Sequence, residues 1–322
     1  DSCSDFAWTD LVVKRSTNNG KTWGPLTVVR TGSGPGLPDT VIGNAAPVQL
    51  QKPPSRILVP HTRNNSDVWT IHSDDDGLSW SLPRMLANAT KPGWKWIGVG
   101  PPGSIQLQRS EFAGRIVVPI YHGIFRGNIV NNRVHGATLL SDDGGITFRI
   151  SSQTRFSTTK FANENQAVEL RNGSILINAR SLAEPGHTER RIQTVSNDGG
   201  ETFSNTRYVP ELPQPLDGCE GSLVATKDSS SIFFSGPDST LLRTHMSVWQ
   251  SSDQGLTFQR IFQIDPGMSG YSSLQIGCSD APPSPCSSLY LLYEQSDETQ
   301  LVMTPDRFIF RTIHLNSTRH GS

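Results

Sequence analysis

The sequence predicts an all-β fold, a six-bladed β-propeller of antiparallel four-stranded blades. Two observations predict it. The first is an octet, S-x-D-x-G-x-T-(W/F), written five times: STNNGKTW (16–23), SDDDGLSW (73–80), SDDGGITF (141–148), SNDGGETF (196–203) and SSDQGLTF (251–258). Its glycines, Gly20, Gly77, Gly145, Gly200 and Gly255, are spaced by 57, 68, 55 and 55 residues. A period of about 50 residues is the length of a propeller blade, and 322 residues is close to six such units. The second is the text between octets. RILVP (56–60), GRIVVPIYH (114–122), SILINAR (174–180), SIFFSG (231–236) and SLYLLYE (288–294) are short apolar runs rich in β-branched and aromatic residues, bounded by Gly, Pro, Asn and Ser. No stretch holds an apolar 3.6-residue period for three turns, so helices are not expected.

Within the octet each position has a task in a tight turn between strands. The Asp side chain (Asn18 in the first copy) can accept from backbone N–H groups two or more residues on. The Gly supplies a positive φ. Ser or Thr re-enters a strand, and the Trp or Phe packs beneath the turn. A calcium loop competes for Asp74, Asp75 and Asp76, but an EF-hand needs alternating oxygen ligands and a Glu at its twelfth position. The octets therefore read as architecture. Running from Ser16 to Phe258, they favour one domain over 1–322.

Composition narrows the partners. A net charge of −1 leaves no electrostatic footprint for nucleic acid. No apolar run approaches the ~20 residues of a membrane-spanning helix. The sequence starts at Asp1 with neither Met nor a signal peptide, as a mature or truncated chain would. Of four cysteines, Cys3, Cys219, Cys278 and Cys286, the last two bracket a Pro-rich loop that a disulfide could staple. Sequons at Asn64, Asn88, Asn172 and Asn316 favour a secreted or lumenal protein.

Several polar residues sit oddly in strand text. FANENQAVEL holds Glu164 and Glu169; five apart on a strand, they face opposite sides, and only one can reach a shared cleft. INAR ends a strand on Arg180, LLRTHMSV carries Arg243 ahead of the fifth octet, GMSGYSSL presents Tyr271, and LLYEQ places Glu294 after an apolar run. Singly, each reads as a solvated strand end.

Together, in this order, these motifs resemble the exo-α-sialidase (neuraminidase) family, whose Asp-boxes the octets match, and the resemblance covers the whole chain. It implies a six-bladed propeller with the active site at one end of its channel, retaining hydrolysis of terminal sialic acids on glycoconjugates, and no metal or organic cofactor. It also implies roles. Tyr271 takes the place of the nucleophile and Glu164 that of the base activating it. Asp5, eleven residues before the first octet, takes the place of the acid/base on a mobile loop. Arg180 and Arg243 match two of three arginines that clamp the substrate carboxylate, and Glu294 the glutamate that steadies the third. Asn44 in GNAAP and Tyr121 in VVPIYHG match positions lining the sugar pocket. The roles suit the chemistry: planar guanidinium forks fit a carboxylate, and a neutral tyrosine deprotonated as it attacks avoids repulsion by the substrate's own charge.

The sequence departs from the pattern at one point. The first clamp arginine belongs to an F-R-I-P motif ahead of the acid/base aspartate, and neither that motif nor the two strands around it is present. A competing expectation follows, a sialic-acid-binding propeller without turnover, with Trp94 and Trp96 as a sugar-stacking platform. Packing at a blade edge is the other reading of these tryptophans.

Overall fold

Strands so short, and so rich in Val, Ile, Leu and Phe, bury themselves only in stacked sheets. The computed structural model describes residues 7–32, 40–51, 55–123, 134–181, 190–277, 288–299 and 304–315. Every regular element in it is a strand, and no helix occurs among the described residues. Strands β1 (Leu11–Val13) and β2 (Thr27–Arg30) form a two-stranded sheet. The next sheet holds β3 (Ile42–Gly43), β4 (Val48–Leu50), β5 (Arg56–Arg63), β6 (Asp67–Ser73) and β7 (Arg84–Met85). A third holds β8 (Trp96–Val99), β9 (Ile105–Gln106), β10 (Ile116–Gly123), β11 (His135–Ser141) and β12 (Arg149–Ile150). A fourth runs in order through β13 (Asn165–Glu169), β14 (Ile175–Ala179), β15 (Arg190–Ser196) and β16 (Ser204–Pro213). The last joins β17 (Ser222–Ala225), β18 (Ile232–Pro237), β19 (Thr244–Ser251), β20 (Gln259–Gly277), β21 (Ser288–Ser296) and β22 (Arg307–His314). All pairings are antiparallel apart from an isolated bridge between Thr9 and Val41.

Inner strands touch in succession, β4 with β9, β9 with β13, β13 with β17 and β17 with the second half of β20, so they line a common axis in a propeller arrangement. Apolar clusters fill the seams. One packs Leu50, Leu58 and Val68 against Val99, Ile116 and Leu139; the next packs Val117 and Leu140 against Ile175, Ile177 and Ile192. A third packs Leu176 against Leu223, Phe234 and Trp249, and a fourth packs Phe233 and Val248 against Leu274, Leu289 and Leu291.

The sheets depart from uniform four-stranded blades in two ways. In the second and third sheets the innermost strand is split, β3 from β4 and β8 from β9. Pro47 and the pair Pro101 and Pro102 lie in the two breaks and cannot donate to a ladder. In the last sheet β20 runs for 19 residues, its first half paired with β19 and its second with β21. It leaves the outer edge of one blade and becomes the inner strand of the next, bending where Asp265 Oδ1 accepts the Gly267 N–H at 2.8 Å.

Four octets lie between the two outer strands of their blades, far from the axis, and the first lies between β1 and β2. Each builds one hydrogen-bond lattice. In SNDGGETF, Ser196 Oγ donates to Asp198 Oδ1 at 2.8 Å and accepts the Gly200 N–H at 2.9 Å. Asp198 also accepts from the N–H groups of Glu201 and Thr202 and from the Thr202 hydroxyl. Asn18 keeps the lattice in the first octet, its oxygen accepting the Thr22 N–H and its amide donating to the Thr22 hydroxyl. Phe148, Phe203 and Phe258 are buried beneath their turns. Trp23 is 43% exposed and packs edge-on against Phe310 instead.

Partial burial opposes the Asp198 charge, but the hydrogen bonds from Thr202, Ser196 and Glu201 outweigh it and hold its pKa below the usual range. A depressed folded pKa contributes stability above the unfolded value, ~4, that is lost as pH falls through the folded one. Asp198→Ala should therefore lower stability by about 1–2 kcal/mol at pH 7, the scale of losing a turn-capping side chain. The gap to the unaltered protein in urea melts should narrow below pH 4.

Candidate active site

Glu164 and Arg180 face each other at the axial end of the β13–β14 hairpin. The Arg180 N–H donates to Glu164 O at 2.8 Å, and the Asn163 N–H donates to Arg180 O at 2.9 Å. This pairing, continuing the ladder from Asn165 and Ala179, explains their sixteen-residue separation. Glu169, five residues further along, has left the site. It accepts from the N–H groups of Gln108 and Arg109 and from the Arg109 guanidinium, as strand alternation required.

The second half of β20 brings in Tyr271. Its hydroxyl donates to Glu164 Oε1 at 2.5 Å. Arg180 Nη1 closes a triangle, donating to Glu164 Oε2 at 2.7 Å and to Tyr271 Oη at 2.8 Å. Glu164 is 5% exposed and Arg180 8%. Arg243 lies against the Tyr271 ring, its Cζ 5.2 Å from the centroid, so both arginines converge on the phenol. Glu294 Oε2 accepts the Tyr271 N–H at 3.0 Å.

The electrostatics follow from this crowding. Burial, and then the Glu164 carboxylate, push the Tyr271 phenol well above its ordinary pKa. Burial opposes the Arg180 charge, but Glu164 and Tyr271 outweigh it and its pKa rises. Burial raises the Glu294 carboxyl, against the Tyr271 N–H and Arg243, which lower it. A phenol held neutral beside a carboxylate can ionise by passing its proton along a hydrogen bond already formed.

Asn44 and Tyr121 pair with each other: Tyr121 Oη donates to Asn44 Oδ1 at 3.2 Å, and Asn44 Nδ2 donates to Asn65 Oδ1. Gly98 makes room for this tyrosine, since a Cβ there would stand 2.2 Å from Tyr121 Cζ. Asn165, next to Glu164, donates its amide to the carbonyl of Ile120, next to Tyr121. Asp5 lies outside the described residues, as do Cys3, Cys278, Cys286 and Asn316; Cys219 is a buried free thiol. His122 stacks on one face of the Trp94 ring, at 3.7 Å with the rings 9° from parallel. Asn64, Asn88 and Asn172 are exposed.

Sequence reasoning missed the turn Asp217–Glu220 and the buried Arg191. Arg180 Nε and Nη2 both donate to Asp217 O, Arg243 Nη2 donates to Gly218 O, and the Ser272 N–H donates to Glu220 Oε2. The only available signal was DGCEG, a Gly-flanked segment with a carboxylate in strand-poor text.

The profile of the BNR repeat-like domain matches residues 7–280. A sialidase of Micromonospora viridifaciens is 26% identical over 82% of this chain and 42% of its own length. Sialidase-2 of Cricetulus griseus is 26% identical over 72% and 62%, and human sialidase-4 is 28% identical over 66% and 47%. The chain thus spans about half the length of these curated relatives. Among solved structures, a Hadza microbial sialidase superposes with a TM-score of 0.76 at 24% identity, over 95% of this chain and 59% of its own. The intramolecular trans-sialidase of Ruminococcus gnavus gives 0.72 at 15%, over 96% and 88%. At these identities the structural likeness establishes the fold.

A raised Tyr271 pKa favours the folded state fully below the unfolded value, ~10, and that contribution fades as pH rises through the folded one. In a spectroscopic titration of the native protein, Tyr271 should form no tyrosinate up to about pH 10. Tyr271→Phe should leave that part of the curve unchanged.

Proposed function

We propose that this chain, which belongs to the BNR repeat-like domain family, is a retaining exo-α-sialidase acting on terminal sialic acids of glycoconjugates. The observation that carries the reading is the triangle of Tyr271, Glu164 and Arg180. A tyrosine nucleophile is the scheme established for sialidases as a class. As Tyr271 Oη bonds to the anomeric carbon, its proton passes to Glu164 Oε1 and the bond to the leaving oxygen breaks. Asp5 protonates that oxygen, then takes a proton from the water that attacks the glycosyl-tyrosine, and Glu164 returns its proton to the departing phenolate. Two displacements at one carbon retain its configuration. Arg180 and Arg243 receive the substrate carboxylate, and Asn44 and Tyr121 line the sugar pocket.

The same reading makes the chain one six-bladed ring domain over 1–322. The space above Gly145 is closed by Leu58, that above Gly200 by Leu140 and that above Gly255 by Leu176, each from the preceding sheet. The space above Gly20 is closed by Phe310 of β22, which supports β1–β2 as the outer part of a blade following β20–β22 around the ring. A groove of ≈430 Å³ lined by Val13, Val29, Ile57, Val59 and Trp80 lies between β1–β2 and the second sheet. The three exposed sequons fit a secreted or lumenal location.

One observation favours the competing reading, a sialic-acid-binding propeller without turnover. Among the described residues no ion pair joins Glu294 to an arginine, and its carboxylate is taken by the Tyr271 N–H. Turnover of a fluorogenic sialoside decides between them. The sialidase should release sialic acid with retention, and Tyr271→Phe should abolish this while leaving binding of a sialic-acid transition-state mimic within about threefold. Turnover with retention in Tyr271→Phe would remove the nucleophile assignment. Asp5→Ala should nearly abolish cleavage of sialyl-galactose yet spare an aryl sialoside, whose leaving group needs little protonation; equal losses on both would count against Asp5 as the acid.

A further inference from the structure

The turn missed in the sequence touches Arg180, Arg243 and the strand that carries Tyr271. Three consecutive carbonyls accept from three different arginines: Asp217 O from Arg180, Gly218 O from Arg243 at 3.2 Å and Cys219 O from Arg191 at 2.7 Å. The next residue, Glu220, accepts the N–H of Ser272, the residue after Tyr271, at 2.8 Å. Tyr271 is thus held by carboxyl groups on two sides, Glu294 at its own N–H and Glu220 at the next.

The backbone of the turn is built for this. Asp217 and Gly218 both lie in the left-handed region, at φ 59° and 69°. Two such residues in succession are costly outside glycine, and the turn is pinned by the Gly218 N–H on Pro215 O at 2.9 Å. A Cβ on Gly218 would stand 2.2 Å from Ser181 O and 2.8 Å from Arg180 Cγ and Nε, so any side chain there displaces the arginine.

Arg191 anchors the turn from beneath. It is fully buried, donates from Nε to Asn178 Oδ1 at 2.6 Å, and lies over the Phe234 ring at 4.9 Å. Burial lowers its pKa to about 10, against the opposing pull of Glu220, so it remains a cation at neutral pH. Among the described residues its Nη2 and Glu220 Oε1 have no hydrogen-bond partner. A buried cation and carboxyl group left so incompletely satisfied are poor investments in stability, which argues that they serve the site.

We propose that Asp217–Glu220, anchored by Arg191, is a positioning element that fixes both substrate-facing arginines and the nucleophile strand in one register. The proposal rests on the sialidase reading for its kinetic consequences, but not for its structural ones.

Three variants test it: Gly218→Ala, Glu220→Met and Glu220→Gln. Gly218→Ala should weaken binding of a sialic-acid transition-state mimic by roughly tenfold or more, the scale of losing a charge-assisted hydrogen bond. Glu220→Met should lower kcat by about tenfold with mimic binding little changed. Glu220→Gln should restore kcat to within about threefold, because its amide oxygen can accept the same Ser272 N–H. A scaffold role would instead lower melting temperature and all kinetic constants together, without rescue by Gln, and that result would overturn the proposal. So would native mimic binding in folded Gly218→Ala, whether or not Glu220→Met folds. A readout independent of turnover is the Nε–H proton of Arg180, followed by NMR, which should exchange slowly in the native protein because it is bonded to Asp217 O. Gly218→Ala must speed its exchange while the Arg191 Nε–H stays protected. If the unaltered protein neither cleaves a sialoside nor binds the mimic, the sialidase reading fails, and the exchange result alone decides the positioning role.

Discussion

A single buried guanidinium holds the site together. Arg180 divides its N–H groups between Glu164, Tyr271 and Asp217 O, and so belongs at once to a strand hairpin, a neighbouring blade and a turn. Without it Glu164 would be a carboxylate taken out of water with only a phenol to compensate, a costly state. With it, the carboxylate has a hydrogen bond on each oxygen, and the phenol is drawn toward a base it cannot ionise unaided. The pairing across β13–β14 fixes where this cation begins, and the turn at Asp217 fixes where it ends.

Much of this was legible in the residues. The octets disclosed the period, the sheet class and the outer turns because their tasks are done by side chains: a hydroxyl, a carboxylate, a glycine and an aromatic ring. Glu164, Arg180 and Tyr271 stood out for a related reason, being charged or phenolic groups in text that otherwise buries apolar surface. The Asp217–Glu220 turn was not legible. Three of its four contributions to the site come from carbonyl oxygens, which every residue carries and no residue type announces. Its dihedrals left only a glycine to betray it. The split inner strands were likewise obscure in advance, since Pro47 and Pro101 could as readily have marked loops between blades.

The octet aromatics show how local chemistry becomes long-range order. Phe148, Phe203 and Phe258 cap their own turns, and each also belongs to the apolar cluster on the seam with the preceding sheet. One side chain thus completes a turn and joins two sheets. Sequence repetition then serves a physical end, because the same wedge is needed at each successive seam. Trp23 meeting Phe310 edge-on has the form of a wedge at the seam between the first and last strands.

Strand β20 gives this molecule an uneven mechanical character. Tyr271 sits on a continuous backbone that starts at the rim of one blade and finishes at the axis of the next. Relative shear of those two sheets would be transmitted through covalent bonds straight to the phenol, so that side of the ring is rigid by construction. Asn44 and Tyr121 sit across from it, beside inner strands already broken at prolines, where small displacements cost few ladder bonds. Compliance is therefore concentrated on that side, and the Tyr271–Glu164–Arg180 triangle is held on the stiff one.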